Sequence, residues 1–277
     1  MPATVIIPAR YASARFPGKP LAPLLGRPMI QHVYERAMES SRAAQVWVAT
    51  DDPRIVEAVR GFGGNVVLTG TQHASGTHRV VEAAQLVEGD PVVNLQGDEP
   101  LILPGQIDQV IQALEEDPEA DVVTLRVASR DAKAAWDPNC VKVVVDHEQR
   151  ALYFSRAPIP YYRGGSPAKD PGGEGVPSWG PAWIHIGLYG FSRRFLLAVS
   201  QLPPSPWEEA EQLEQLRFLY WGYKVLVLET PHATIGVDVP EDLSRVERIL
   251  AERNLVAGSA GKAAFFREQG TPTGEIP

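Results

Sequence analysis

Short apolar runs alternate with stretches whose apolar residues recur every three or four positions through the first half of the chain. Val5-Ile6-Ile7, Val46–Ala49, Val66–Leu68, Val92–Leu95 and Val122–Val127 read as buried strands bounded by turn residues. Between them the spacing predicts helices over Met29–Ser40, Arg54–Arg60, His78–Val87 and Gln106–Glu115. Strands that alternate with helices pair into a mostly parallel sheet sandwiched by helices, an α/β fold. Such a sheet binds ligands beyond the carboxyl ends of its strands.

The second half is less regular. Val141–Val145 and Ala151–Phe154 flank a turn at Asp146–Gln149 and predict a hairpin. Ile184–Phe191 and Lys224–Leu228 predict strands, Glu208–Tyr220 one continuous helix, and Pro240–Arg253 the last helix. Residues 163–182 hold six Gly and four Pro and read as a long loop. Periodicity fades near Val256. The expected organisation is therefore a single domain over 1–254 and a tail over 255–277.

Composition and charge narrow the function classes. The 277 residues are 44% hydrophobic and carry a formal net charge of −8, which argues against a broad nucleic-acid footprint, since phosphate backbones call for a basic face. One cysteine, Cys140, excludes an intramolecular disulfide framework and a zinc cluster built on cysteine. No apolar run approaches the 18 residues of a membrane span, and the first residues lack the basic segment of a signal peptide, so a cytoplasmic protein without a membrane segment is expected. The charge is unevenly spread. Residues 1–36 carry five cations against one anion, whereas 80–125 carry eleven carboxylates and no Lys or Arg. That imbalance fits an anion-and-metal site as well as it fits solvated faces.

Three segments carry candidate chemistry. The loop after the first strand, IIPARYASARFPGK, gathers Arg10, Ser13, Arg15, Gly18 and Lys19. Arginine offers bidentate donors to phosphate oxygens and lysine a compact charge. Pro20 follows Gly18-Lys19, so this is no Walker loop. The second segment, Leu95-Gln96-Gly97-Asp98-Glu99-Pro100, places a short carboxylate at a strand tip, where Mg²⁺ would meet one or two carboxylates and phosphate oxygens. Ordinary turn chemistry accounts for the same residues. In the third, Gly236-Val237-Asp238-Val239-Pro240, Asp238 is either a helix-capping residue or a second metal ligand. The run Glu208, Glu209, Glu211, Glu214 reads as a solvated helix face partly paired with Arg217. His185 and Tyr189 share a strand face, as a core pair or a sugar-contacting pair.

Taken together, IIPARYASARFPGKPL, HASGTHR, NLQGDEP, YFSRAPIP, HIGLYGF, LEQLR and GVDVPEDL, in that order over about residues 4–250, closely resemble the CMP-Kdo synthetases, the 3-deoxy-manno-octulosonate (Kdo) cytidylyltransferases. The resemblance implies the nucleotide-diphospho-sugar transferase type of α/β sandwich. It implies transfer of the cytidylyl group of CTP to Kdo with release of pyrophosphate, for lipopolysaccharide synthesis, by a cytoplasmic, Mg²⁺-dependent homodimer. Carried over residue by residue, it implies that Arg10, Ser13, Arg15 and Lys19 hold the CTP phosphates, with Ser75 and Gly76 beside the nucleotide. Asp98 and Asp238 take the metal, and Asp98, Lys19 and Arg10 serve catalysis. Gln96, Arg156, His185, Tyr189, Glu214 and Gln215 line the sugar-acid pocket, with Arg156 meeting the carboxylate. The chain departs from the pattern at His78, where the family usually has an acidic residue, and at Val239, where Thr is usual. It also departs in its Gly- and Pro-rich loop and in some 25 residues beyond the resemblance. Two alternatives follow: a cytidylyltransferase for another nonulosonic or modified Kdo-type acid, and a non-catalytic nucleotide-binding paralogue.

Overall fold

The computed structural model describes residues 1–12, 16–73, 75–117, 119–161 and 181–252. Ser13, Arg15, most of the predicted 163–182 loop and the tail lie outside the described residues. In chain order the elements are β1 (Ala3–Ala9), β2 (Pro23–Leu24), β3 (Arg27–Pro28), α1 (Met29–Met38), β4 (Ala43–Thr50), α2 (Pro53–Gly61), β5 (Val66–Leu68), α3 (Gly76–Leu86), β6 (Val92–Asn94) and α4 (Pro104–Glu116). There follow β7 (Val122–Ser129), α5 (Ala132–Trp136), β8 (Lys142–Val145), β9 (Ala151–Ser155), β10 (Ala182–Phe191), α6 (Arg193–Val199), α7 (Pro206–Glu211), α8 (Gln215–Tyr220), β11 (Val225–Glu229) and α9 (240–252).

The main sheet runs β11-β7-β10-β6-β1-β4-β5, and the β8–β9 hairpin joins it at β10. Pairing is parallel at β6–β1, β1–β4, β4–β5 and β11–β7. Strand β10 alone on this path runs antiparallel to both neighbours, β6 and β7. The expected mostly parallel sheet is therefore present, and both of its faces are covered. Along β1 the side chains alternate: Val5 and Ile7 join the core under α1, α2 and α4, while Ile6 joins the core under α3, α6 and α8. At Gly190 of β10 the α4 helix sits so close that a Cβ would lie 2.3 Å from a Val110 methyl. A third, smaller cluster of Leu24, Met29, Leu101, Val237, Val246 and Leu250 docks α9 beside the loop after β6.

One predicted helix is wrong in form. Glu208–Tyr220 is not continuous but breaks into α7 and α8 at Gln212, whose φ of 52° is left-handed. The break follows from where the carboxylates go. Glu208 closes a capping box with Ser205 and pairs with Arg217, with both guanidinium bonds at 2.6–2.7 Å. Arg217 thus belongs to Glu208 rather than to Glu214. Glu211 and Glu214 turn inward instead of forming a solvated face. Helices α5 and α6 were not legible as separate periods, because they are only five and seven residues long.

Candidate active site

The carboxyl ends of β1 and β6 open onto a cleft of about 250 Å³ lined by Pro8, Arg10, Lys19, Gly76, Gln96 and Asp98, among others. Gly97 lets the loop after β6 press against β1, since a Cβ there would stand 3.0 Å from the Pro8 carbonyl oxygen. Gly76 opens α3 immediately beyond, with Ser75 as its N-cap accepting from the His78 amide. An anion reaching this point meets a helix N-terminus as well as the cations of the loop.

Lys19 is the hub of this end. Its Nζ donates to Asp98 Oδ2 at 2.5 Å and to the Val237 carbonyl at 2.9 Å, and lies 3.9 Å from Asp238 Oδ1. Asp98 and Asp238, 140 positions apart in the chain, therefore face one cation. The Val237 amide donates to the Asp98 carbonyl, which fixes the two segments side by side, and Asp242 accepts from the amides of Asp238 and Val239 at the start of α9. Asp238 is thus both near a helix start and beside Lys19, which lines the cleft. Among the described residues no group of three or more His, Cys, Asp or Glu side chains is arranged to hold a metal. Two carboxylates beside a phosphate-sized opening suit Mg²⁺, which keeps waters and phosphate oxygens in its shell. Behind them Glu99 is buried, and burial, reinforced by Asp98, pushes its carboxyl up to about 8.

Arg10 projects from the end of β1. Its Nη2 is buried and has no hydrogen-bond partner among the described residues. Burial and the neighbouring Arg79 hold its guanidinium below the ordinary arginine range. Arg79, fully buried, donates to Thr69 and pairs with Asp51 at 3.2 Å. A buried guanidinium nitrogen without a hydrogen-bond partner at a cleft mouth is costly unless an acceptor arrives.

The second end of the site is assembled on β10, β9 and the α7–α8 break. Ser75 Oγ donates to Glu214 at 3.0 Å and lies 2.8 Å from His78 Nδ1, so the nucleotide-side and sugar-side candidates meet at Glu214. His78 itself stands 3.7 Å from that carboxylate. Gln96 donates to Asn94, whose register partner on β10 is Tyr189. The Tyr189 and His185 rings are 5.3 Å apart, and Phe154 closes edge-on over His185. Burial pushes His185 down to about 3, so the imidazole is neutral; its Nε2 contacts Thr124 Oγ1 at 3.0 Å. Burial and Glu214 drive the Tyr189 hydroxyl well above its ordinary range. Gln215 is buried at the first turn of α8.

Among the described residues the Arg156 guanidinium is held by backbone oxygens, while its amide donates to Glu211 Oε2. Nε donates to Glu211 O at 2.7 Å, Nη1 to Pro138 O at 2.8 Å and Nη2 to Gln212 O at 3.3 Å. The structure thus gathers Arg10, Lys19, Gly76, Gln96, Asp98 and Asp238 at one end, and Arg156, Glu214, Gln215, His185 and Tyr189 at the other, with Ser75 at the junction. Sequence reasoning assigned no role to Arg79, Glu99 or Lys142, and read Glu211 as part of a solvated face. Arg79 and Glu99 sit inside the quoted HASGTHR and NLQGDEP segments, and Lys142 is a lone charge in the apolar run Val141–Val145, a signal that was available.

A profile of the family described as cytidylyltransferase matches residues 4–226. The 3-deoxy-manno-octulosonate cytidylyltransferase of Escherichia coli is 46% identical over 90% of this chain and 96% of its own. The 8-amino-3,8-dideoxy-manno-octulosonate cytidylyltransferase of Shewanella halifaxensis is 47% identical over 91% of this chain and 99% of its own. Among solved structures, a CMP:2-keto-3-deoxy-manno-octonic acid synthetase complexed with CTP superposes with a TM-score of 0.83 at 46% identity, covering 91% of this chain and all of that one.

Proposed function

The chain belongs to the cytidylyltransferase family, and we propose that it transfers the cytidylyl group of CTP to the anomeric hydroxyl of Kdo, releasing pyrophosphate. The observation that carries this reading is one cleft at the strand ends that holds Arg10, with a buried guanidinium nitrogen lacking a partner among the described residues, and the Lys19–Asp98 pair, with Asp238 beside Lys19. In the reaction the sugar oxygen forms a bond to the α-phosphorus of CTP while the bond from that phosphorus to the β-phosphate bridging oxygen breaks. Positioning and charge neutralisation dominate such a displacement.

Arg10 and Lys19 neutralise the triphosphate and the departing pyrophosphate, with Ser13 and Arg15 joining them. Ser75 and Gly76 face the nucleotide at the start of α3. Asp98 and Asp238 would hold Mg²⁺, which would neutralise phosphate charge and acidify the attacking hydroxyl. Arg156 receives the sugar carboxylate, and Gln96, His185, Tyr189, Glu214 and Gln215 line the rest of the acceptor pocket. A neutral His185 offers hydrogen bonds without competing for the carboxylate.

The similarity to an enzyme named for the 8-amino acid supports one second reading, in which that amino sugar is the acceptor. Mass spectrometry of the products from CTP with each acid, with Mg²⁺ and with chelator, tests both. A CMP-Kdo adduct that vanishes with chelator supports the first reading, and an adduct with the amino acid alone replaces it. A cytoplasmic homodimer accompanies the reading, and sedimentation equilibrium tests the dimer. Among the described residues no helix is long and apolar enough to cross a membrane.

A further inference from the structure

Among the described residues Lys142 is, after Arg79, the other long cationic side chain buried completely, and the cleft chemistry above makes no use of it. Its Nζ donates to two backbone carbonyls, Asp137 O at 2.9 Å and Arg156 O at 2.6 Å, and to no carboxylate among the described residues. Burial holds its ammonium below the ordinary lysine range. Burying a lysine without an ion-pair partner is expensive, so the arrangement calls for a reason.

The reason lies in what the two carbonyls belong to. One is the carbonyl of Arg156 itself. The other belongs to Asp137, whose neighbour Pro138 accepts from Arg156 Nη1. From the other side Glu211 accepts the Arg156 amide on Oε2 at 2.9 Å and the Ser155 hydroxyl on Oε1 at 2.6 Å, and its own carbonyl accepts Arg156 Nε. The left-handed turn at Gln212 then brings a further carbonyl to Nη2. The guanidinium has five N–H donors. Among the described residues three go to carbonyls, which leaves one on each terminal nitrogen. That is the number a carboxylate takes in a two-pronged contact, and among the described residues no carboxylate engages the guanidinium.

The geometry points to Lys142 and Glu211 as positioning residues that hold Arg156 with two donors free for the carboxylate of the acceptor acid. This rests on the transfer to a keto-sugar acid proposed above and names how that site selects an acid over its neutral analogue. Neither residue touches the reacting atoms. Their effect reaches the substrate through the orientation of Arg156.

The test compares Kdo with its C1 carboxamide, as substrate or competitive inhibitor, in wild type, K142M and E211Q. Wild type is expected to favour the carboxylate over the amide at least tenfold. K142M is expected to raise the KM for Kdo about tenfold, leave the KM for CTP within twofold, and lower the carboxylate-to-amide preference at least fivefold. A merely structural lysine would move both KM values together and keep that preference, and this result overturns the proposal. Should K142M lose the rise in Tm that CTP gives the wild type, E211Q decides: a fall in the preference of threefold or more supports the proposal, and an unchanged preference overturns it. Absence of pyrophosphate from wild type with Kdo and CTP would instead remove the proposed function, and that arm is read first.

Discussion

The two ends of the site are built on opposite principles. At the phosphate end the charged groups either lack partners or lean on one another: Arg10 has a buried unpaired nitrogen, and Lys19 sits between Asp98 and Asp238. At the acceptor end nearly every polar group is already committed, with Arg156 on three carbonyls, Glu211 on Ser155 and Arg156, and Glu214 on Ser75. On the proposed function the first end is completed by its ligand and gains most from anions and a cation arriving together. The second is ordered beforehand, which lowers the cost of fixing a flexible sugar acid. Substitutions at the first end should therefore strike turnover, and those at the second end should strike acceptor affinity.

The sharpest way to break this contrast is Asp98→Asn. Removing the charge that faces Lys19 and the proposed metal is expected to lower kcat about a thousandfold, ~4 kcal/mol, with thermal unfolding within a few degrees of wild type. Near-normal turnover would dissolve the distinction at its phosphate end. Arg156→Ala comes next. Losing a charged recognition contact should raise the acceptor KM about a hundredfold, ~3 kcal/mol, while the CTP KM moves no more than threefold. Steady-state kinetics in both substrates checks this, and equal effects on both would merge the two ends into one.

A smaller effect is expected where the ends share backbone. Gly97→Ala places a methyl 3.0 Å from the Pro8 carbonyl oxygen, a backbone atom of a strand paired in register with β4. A loss of about 1–3 kcal/mol of stability in denaturant titration is expected, together with a raised CTP KM. The smallest effect concerns pH. Burial holds His185 at about 3 in the folded chain against an ordinary value near 6.5. Below 6.5 the unfolded chain takes up a proton that the folded chain refuses. His185 therefore costs stability progressively as pH falls from 6.5 toward 3, and above that window it costs nothing. His185→Asn should flatten that limb of the stability curve measured by urea titration, and an unchanged slope would place the histidine outside the acceptor core.

The same contrast decides what could be read from the chain alone. The phosphate end is contiguous: Arg10 to Lys19 follow β1 directly and Gln96 to Asp98 follow β6, so strand periodicity and local residue type pointed to them. Its proposed metal half was legible only as alternatives, because whether Asp238 caps α9 or faces Lys19 depends on the Val237–Asp98 contact between distant segments. The acceptor end depends on features with no periodic signature. Strand β10 runs against its neighbours, and the break at Gln212 interrupts a stretch whose residues are individually good helix formers. There, tertiary bonds from Glu208, Glu211 and Glu214 outweigh propensity. Lys142 was visible as a charge among valines, yet only the fold reveals that its bonds run to Arg156.

The most direct test of the whole account is pyrophosphate release by purified protein with Mg²⁺, comparing CTP alone, Kdo alone and the two together. The account predicts release only when both are present. Release from CTP without an acceptor, or none with any keto-octulosonic acid despite CTP binding, would contradict it.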